Sequence, residues 1–143
     1  YGFPTALGAQ VGNPDRKVVS VNGDGGFLFN VQELSTMAQH RIPVVALVFD
    51  DRAYGNVRRI QQLRMGGHTI ASDLQNPDWI KLAESFGVAG YRAQDPAALR
   101  EVLREALRSE APALIAVPMP DATDIRGFHP PEPAPPRPSL RRS

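Results

Sequence analysis

Two acidic turns carry the residue types best suited to chemistry, Asn22-Gly23-Asp24-Gly25-Gly26 and Asp50-Asp51-Arg52-Ala53-Tyr54-Gly55. Each closes an apolar run, Val18-Val19-Ser20-Val21 before the first and residues 43–49 before the second. Glycines after a strand let backbone N–H groups come close to a phosphate. A carboxylate in the same turn repels that phosphate, so the two features conflict unless a cation lies between them. Magnesium takes oxygen ligands and commonly bridges one or two carboxylates to phosphate oxygens. On this reading Asp24 and Asp51 are side-chain ligands, while the N–H groups of Gly25, Gly26 and the helix that follows face the phosphates. Gly55 frees the backbone of the second turn for a similar approach. A dinucleotide fingerprint fits poorly, because its third small residue would fall at position 28, which is Leu. Two plainer readings stand beside the metal pair: Asp50-Asp51 capping the helix beyond Tyr54, and Asp24 as an ordinary turn residue.

Both carboxylates depend on elements that bring them together. Pro4 suits the first turn of a helix that continues from Thr5 to Val11 and stops at Gly12-Asn13-Pro14. Lys17 to Val21 reads as a short strand, and residues 26–40 as a helix with Phe27, Val31, Leu34 and Ala38 at three-to-four spacing. Residues 43–49 are apolar without alternation, as in a strand covered on both faces. A basic helical stretch at 55–65 precedes a loop at Gly66-Gly67. Asn76-Pro77-Asp78 opens a helix over 77–86, with Trp79, Leu82, Ala83 and Phe86 as its apolar stripe. Residues 88–93 read as a strand, 96–109 as a helix and 113–117 as a last strand. The alternation predicts an α/β fold, a doubly wound, mainly parallel sheet with helices on both faces and right-handed crossovers. Ligands bind such sheets beyond the carboxyl ends of the strands, where both acidic turns lie. One domain is expected over 1–118, followed by an extended, disordered Pro-rich tail over 119–143.

Composition removes several classes of function. The chain has 143 residues, 42% hydrophobic and 22% charged, which suits one globular domain. A net charge of +1 gives no electrostatic case for nucleic acid or an anionic membrane surface. No run approaches the roughly 18 apolar residues of a membrane span, and the N-terminus lacks a signal-peptide pattern, so a cytoplasmic protein is expected. The absence of cysteine rules out disulfides and thiolate metal sites. The chain does not begin with Met and starts inside what reads as a motif, so a fragment of a longer polypeptide is expected.

Gly23-Asp24-Gly25, followed one helix and one strand later by Asp50-Asp51 and Arg52-Ala53-Tyr54-Gly55, resembles the thiamine diphosphate motif, GDG and then NN. The stretch from Tyr1 to Val19 resembles the segment that precedes this motif in acetohydroxyacid (acetolactate) synthase-like enzymes. The resemblance runs to about Pro118. It implies the C-terminal thiamine diphosphate-binding domain of a 2-keto acid decarboxylase or carboligase, a lyase or transferase. Carried over by position, Asp24 and Asp51 bind Mg2+ through their side chains and Ala53 through its backbone carbonyl. Gly23, Gly25, Gly26, Tyr54 and Gly55 lie against the diphosphate. Asp50-Asp51 stands where the family most often has two asparagines, which implies stronger metal binding and a greater need for magnesium. Ile60 occupies the position where a tryptophan shapes substrate access in the synthases, which points to another 2-keto acid or acyl donor.

The resemblance also implies what must come from elsewhere. A pyrimidine-binding domain, reached across a homo-oligomer interface, supplies the glutamate that activates the cofactor, so the chain alone is expected to be inactive. Two other functions remain open at this point: a non-catalytic truncated module, and a magnesium-dependent nucleotide-binding α/β domain. Arg52, Arg58, Arg59 and Arg64 either soften the Asp50-Asp51 charge or form a solvated face. His40 suits a helix C-terminus, His68 either borders a substrate pocket or is a plain loop residue, and His129 has no visible partner. Trp79 with Phe86 reads as core.

Overall fold

The computed structural model describes residues 1–119. Along the chain lie α1 (Gly2–Gly12), β1 (Val19–Gly23), α2 (Asp24–Leu28), α3 (Glu33–Gln39), β2 (Val45–Asp50) and α4 (Gly55–Arg64). They are followed by α5 (Trp79–Ser85), β3 (Ala89–Arg92), α6 (Pro96–Ser109) and β4 (Ala113–Pro118). The four strands form one sheet in the order β1-β2-β4-β3, and every pairing is parallel.

Strand alternation sorts the apolar residues onto two faces. Val44, Ala46, Val48, Leu114 and Ala116 pack with Phe3, Leu7, Phe27, Leu34, Met37 and Trp79, so α1, α2, α3 and α5 cover one side. Val45, Leu47, Ile115 and Val117 meet Ala106, Val102, Leu103 and Leu107 of α6 on the other. Local signals set the helix ends. Asp95 caps α6 by accepting the Ala98 N–H at 2.8 Å, and Asp78 caps α5 by accepting the N–H groups of Ile80 and Lys81.

Three elements depart from the pattern in the sequence. The first strand ends at Gly23 rather than Val21, so Asp24 begins a helix instead of sitting in a turn. The single helix expected over 26–40 is two, because the N–H groups of Asn30, Glu33, Leu34 and Ser35 bond carbonyls three residues back. That tighter winding changes the phase: Leu34 and Met37 are buried, while Val31 and Ala38 are only partly so. The helix expected from Pro77 starts at Trp79, since Asp78 is its cap. The Pro-rich tail lies outside the described residues apart from Met119.

Register does the positioning that function requires. Gly23 pairs with Phe49, so the next rung brings Asp24 and Asp50 side by side at the carboxyl edge. At the far edge of the sheet, β3 runs under α5 so closely that a Cβ at Gly90 would lie 3.0 Å from the Cα and carbonyl oxygen of Ile80. Backbone cannot yield as a side chain can. Gly90→Ala is expected to cost about 1–3 kcal/mol, read as a lower urea midpoint at unchanged slope. A wild-type midpoint would mean that α5 is free to lift from β3.

Candidate functional site

The alternation that turns Val44, Ala46 and Val48 toward α5 carries Asp50 the same way. Its Oδ2 accepts the Trp79 indole N–H at 2.7 Å, and its Oδ1 accepts from Asn76 Nδ2 at 2.7 Å and from the Arg52 N–H at 3.2 Å. Asp51 is therefore the acid left to face the cleft, where its Oδ1 accepts the Ala53 N–H at 3.2 Å. Asp24 is 2% exposed. Its Oδ1 accepts the Gly25 N–H at 2.8 Å and its Oδ2 accepts Asn76 Nδ2 at 2.6 Å. Neither Asp50 nor Asp51 caps α4: the cap position is Tyr54 and no side chain bonds there. The first turn of α4, the positive end of the helix, borders the cleft through Gly55, Asn56 and Val57.

A cleft of about 470 Å3 lies between the two turns. Gly23, Asp24, Gly25, Gly26, Asp51, Ala53, Tyr54 and Gly55 all line it, so the structure brings every sequence-predicted site residue together. Phe49, Asn56, Val57 and Met119 complete the lining. Two of the glycines are demanded by close approach. A Cβ at Gly25 would lie 2.5 Å from the Tyr54 ring, and one at Gly55 would lie 2.5 Å from Asp51 Oδ2. Tyr54 also stacks on Phe29, with ring centroids 6.1 Å apart. A Cβ at Gly23 or Gly26 would meet no protein atom within 4 Å, so those two border open space.

Behind the cleft, residues 70–76 run back along the second turn as a strap. The Tyr54 N–H donates to Ser72 O and the Leu74 N–H to Arg52 O, both at 2.8 Å, around an antiparallel bridge between Ala53 and Asp73. Gln61 of α4 grips Ile70 twice, donating to its carbonyl at 3.0 Å and accepting its N–H at 3.3 Å. Arg58 pairs with Asp73 at 3.1 Å, rather than with the Asp50-Asp51 pair. The sequence reading missed Asn76, Gln61 and Asp73. Asn76 carried a weak signal, as a polar residue ahead of Pro77-Asp78, but it was absorbed into the start of a helix that only Asp78 caps. His40 does lie at the C-terminus of α3, His68 does not line the cleft, and His129 is outside the described residues. Trp79 is core, 1% exposed, and a polar donor as well.

Burial pushes the Asp24 carboxyl above its ordinary value; the bonds from Asn76 and Gly25 oppose this, and the charges of Asp51 and Asp50 add to it. Among the described residues no group of three or more His, Cys, Asp or Glu is placed to hold a metal. A cation here needs oxygens from backbone and ligand besides the two carboxylates. That donor set suits magnesium, which takes few protein carboxylates and completes its shell with phosphate oxygens and water.

Residues 1–117 match the family described as thiamine pyrophosphate enzyme, C-terminal TPP binding domain. The chain belongs to that family. It is 44% identical over 116 residues to a probable acetolactate synthase large subunit of Methanococcus aeolicus, covering 80% of this chain and 19% of that protein. It is 44% identical over 117 residues to an acetolactate synthase of Bacillus subtilis, covering 82% and 20%. A solved thiamine diphosphate-dependent 4-hydroxybenzoylformate decarboxylase of Rhodococcus jostii RHA1 superposes with a TM-score of 0.80 at 33% identity, over 85% of this chain and 23% of that one. The chain thus spans about a fifth of the length of the relatives it matches. No helix among the described residues is long and apolar enough to cross a membrane.

The burial of Asp24 in this TPP-binding domain has a stability consequence with a definite sign. Its folded pKa is raised, so its favourable contribution is complete below the unfolded value near 3.8 and is lost as pH rises through the folded value. Without a metal, the burial of the Asp24 carboxylate therefore counts against folding as pH rises. Asp24→Asn is expected to melt a few degrees higher than wild type in a metal-free neutral buffer, with the gap closing as pH falls toward 3.8. Equal or lower melting of the variant at neutral pH would contradict this account.

Proposed function

We propose that this chain binds thiamine diphosphate through Mg2+, as the diphosphate-anchoring domain of a 2-keto acid decarboxylase or carboligase of the acetolactate synthase-like group. The observation that carries the reading is convergence: two carboxylates, Asp24 and Asp51, and the uncapped N-terminus of α4 meet at one glycine-lined cleft. Asp24 and Asp51 would hold the metal by side chain and Ala53 by its carbonyl. The diphosphate would lie against Gly23, Gly25, Gly26, Tyr54 and Gly55. The opposite charges then lie where each is needed, magnesium against the acids and phosphate against the α4 N–H groups. When bound, thiamine diphosphate supplies the carbanion chemistry that acts on 2-keto acids. The residues of this chain would anchor and orient it and keep water from the buried acid.

The surroundings of the cleft support a partner that covers it. Phe29, Val57, Ile60, Leu63, Met65 and Ile70 are exposed, several by well over half, on and around α4. A contiguous apolar rim of this kind marks an interaction surface. It suits the pyrimidine-binding domain of a neighbouring subunit in a homo-oligomer. Catalysis would need that domain, so the chain alone would bind cofactor without turnover. Ile60, 38% exposed at this rim, fits a substrate other than that of the standard synthases.

Calorimetry on the full chain tests the reading. Thiamine diphosphate is expected to bind only with magnesium present. Asp24→Ala and Asp51→Ala should each weaken binding at fixed magnesium by at least about 10- to 100-fold, the loss typical even of residues that only support metal ligands. Magnesium-independent binding, or binding retained in both variants, would defeat it. Stronger binding of a nucleoside triphosphate would favour a nucleotide site.

A further inference from the structure

Asn76 stands outside the twelve residues that line the cleft, yet one nitrogen of it touches both acids of the β1–β2 edge. Its Nδ2 donates to Asp24 Oδ2 at 2.6 Å and to Asp50 Oδ1 at 2.7 Å. We propose that Asn76 is the positioning residue for the Asp24 carboxylate, holding it in the orientation that receives magnesium by sharing a single amide between Asp24 and Asp50. The proposal rests on the magnesium reading above.

Four features of the geometry carry it. The Asp24 carboxylate is held at both oxygens, Oδ1 by the Gly25 N–H and Oδ2 by Asn76, which fixes its plane. Each oxygen accepts one bond and retains a further acceptor site for a cation. Asp50 is itself immobilised, by the Trp79 indole and the Arg52 N–H. The amide therefore hangs from a rigid anchor in the core, not from a free surface acid. Asn76 Oδ1 is buried with no hydrogen-bond partner among the described residues, so the donor end of the side chain is what orients it.

The chemistry of the donor matters as much as its place. Arg or Lys in this position would also bridge two carboxylates, but would bring a positive charge against the cation. A carboxamide screens Asp24 from Asp50 and adds no charge, leaving the Asp24 charge for the metal. The backbone of Asn76 is held on one side by the strap that Gln61, Tyr54 and Arg52 secure, and on the other by Pro77 and the Asp78 cap of α5. Asn76 thus links the orientation of the ligand to the docking of two separate elements.

The experiment is a magnesium titration of the full chain at saturating thiamine diphosphate, followed through the fluorescence of Trp79, the one tryptophan in the sequence. Asn76→Ala is expected to raise the magnesium concentration at half-saturation about 10- to 100-fold. The affinity for thiamine diphosphate at saturating magnesium should change less than about threefold and circular dichroism should stay near wild type, while the metal-free melting temperature falls because two buried carboxylates lose their shared donor. Asn76→Ser, too short to span both acids, gives the same reading if the alanine variant does not fold. Asp50→Asn turns a donor toward either Asn76 or Trp79 and should produce a smaller shift in the same direction. Wild-type magnesium dependence in the Asn76 variants would overturn the proposal. So would an equal loss of cofactor affinity at saturating magnesium, which a merely structural role predicts. A wild-type chain with no magnesium dependence would overturn the function reading, and this proposal with it.

Discussion

Parallel pairing of β1 with β2 sets Gly23 opposite Phe49, and the next rung crowds Asp24 against Asp50. Like charges brought together in this way repel, and the burial of Asp24 opposes its charge more strongly still. Asp51 follows immediately and adds a third carboxylate. Carboxylates buried together are costly unless each is hydrogen-bonded, so the surroundings must be arranged around them. Asp50 is turned into the core and satisfied by an indole and an amide. Asp24 is held by that same amide and by the Gly25 N–H, and Asp51 by the Ala53 N–H. The fold has divided three adjacent acids between a structural anchor and two that line a cleft.

That division was half legible in the sequence. Strand-like runs that each end in an acid and a glycine locate the cleft, because a parallel sheet gathers the ends of neighbouring strands at one edge. The fold class follows from the same alternation of elements. Sequence reasoning names Asp51 over Asp50, yet residue types alone do not explain why Asp51 is the one that faces the cleft. The answer lies in the period-2 alternation of β2, which turns Asp50 with Val48 and Ala46 toward Trp79. An apolar run without polar residues conceals its two faces, so the phase cannot be read until the packing helices are known. The break between α2 and α3 was hidden for a similar reason. Its residues keep helical backbone angles and change only their hydrogen-bond spacing.

The glycines separate into two kinds on physical grounds. Gly25 and Gly55 are required because protein atoms lie where a Cβ would be: the Tyr54 ring for one and the Asp51 carboxylate for the other. The first contact draws the two turns together, and the second folds the Asp51 carboxylate against the start of α4. Gly23 and Gly26 have no such neighbour, so their lack of a side chain benefits whatever enters the cleft. A sequence shows four glycines of equal standing; only the packing reveals that two shape the site and two leave it open.

Strands place the backbone of the acids, but the strap sets the direction of their side chains. The bond from Asn76 to Asp24 joins residues 52 apart in sequence and that to Asp50 joins residues 26 apart. The strap is secured chiefly by backbone bonds and by the side chains of Gln61 and Arg58, whereas the sheet is held by two apolar clusters. Segments with few buried apolar contacts open at lower free energy than core strands do. The sheet can therefore remain folded while the strap opens, and Asp24 then loses its second hydrogen bond and its fixed plane. Binding at this edge would thus draw on the ordering of a segment that forms no part of the strands carrying the acids.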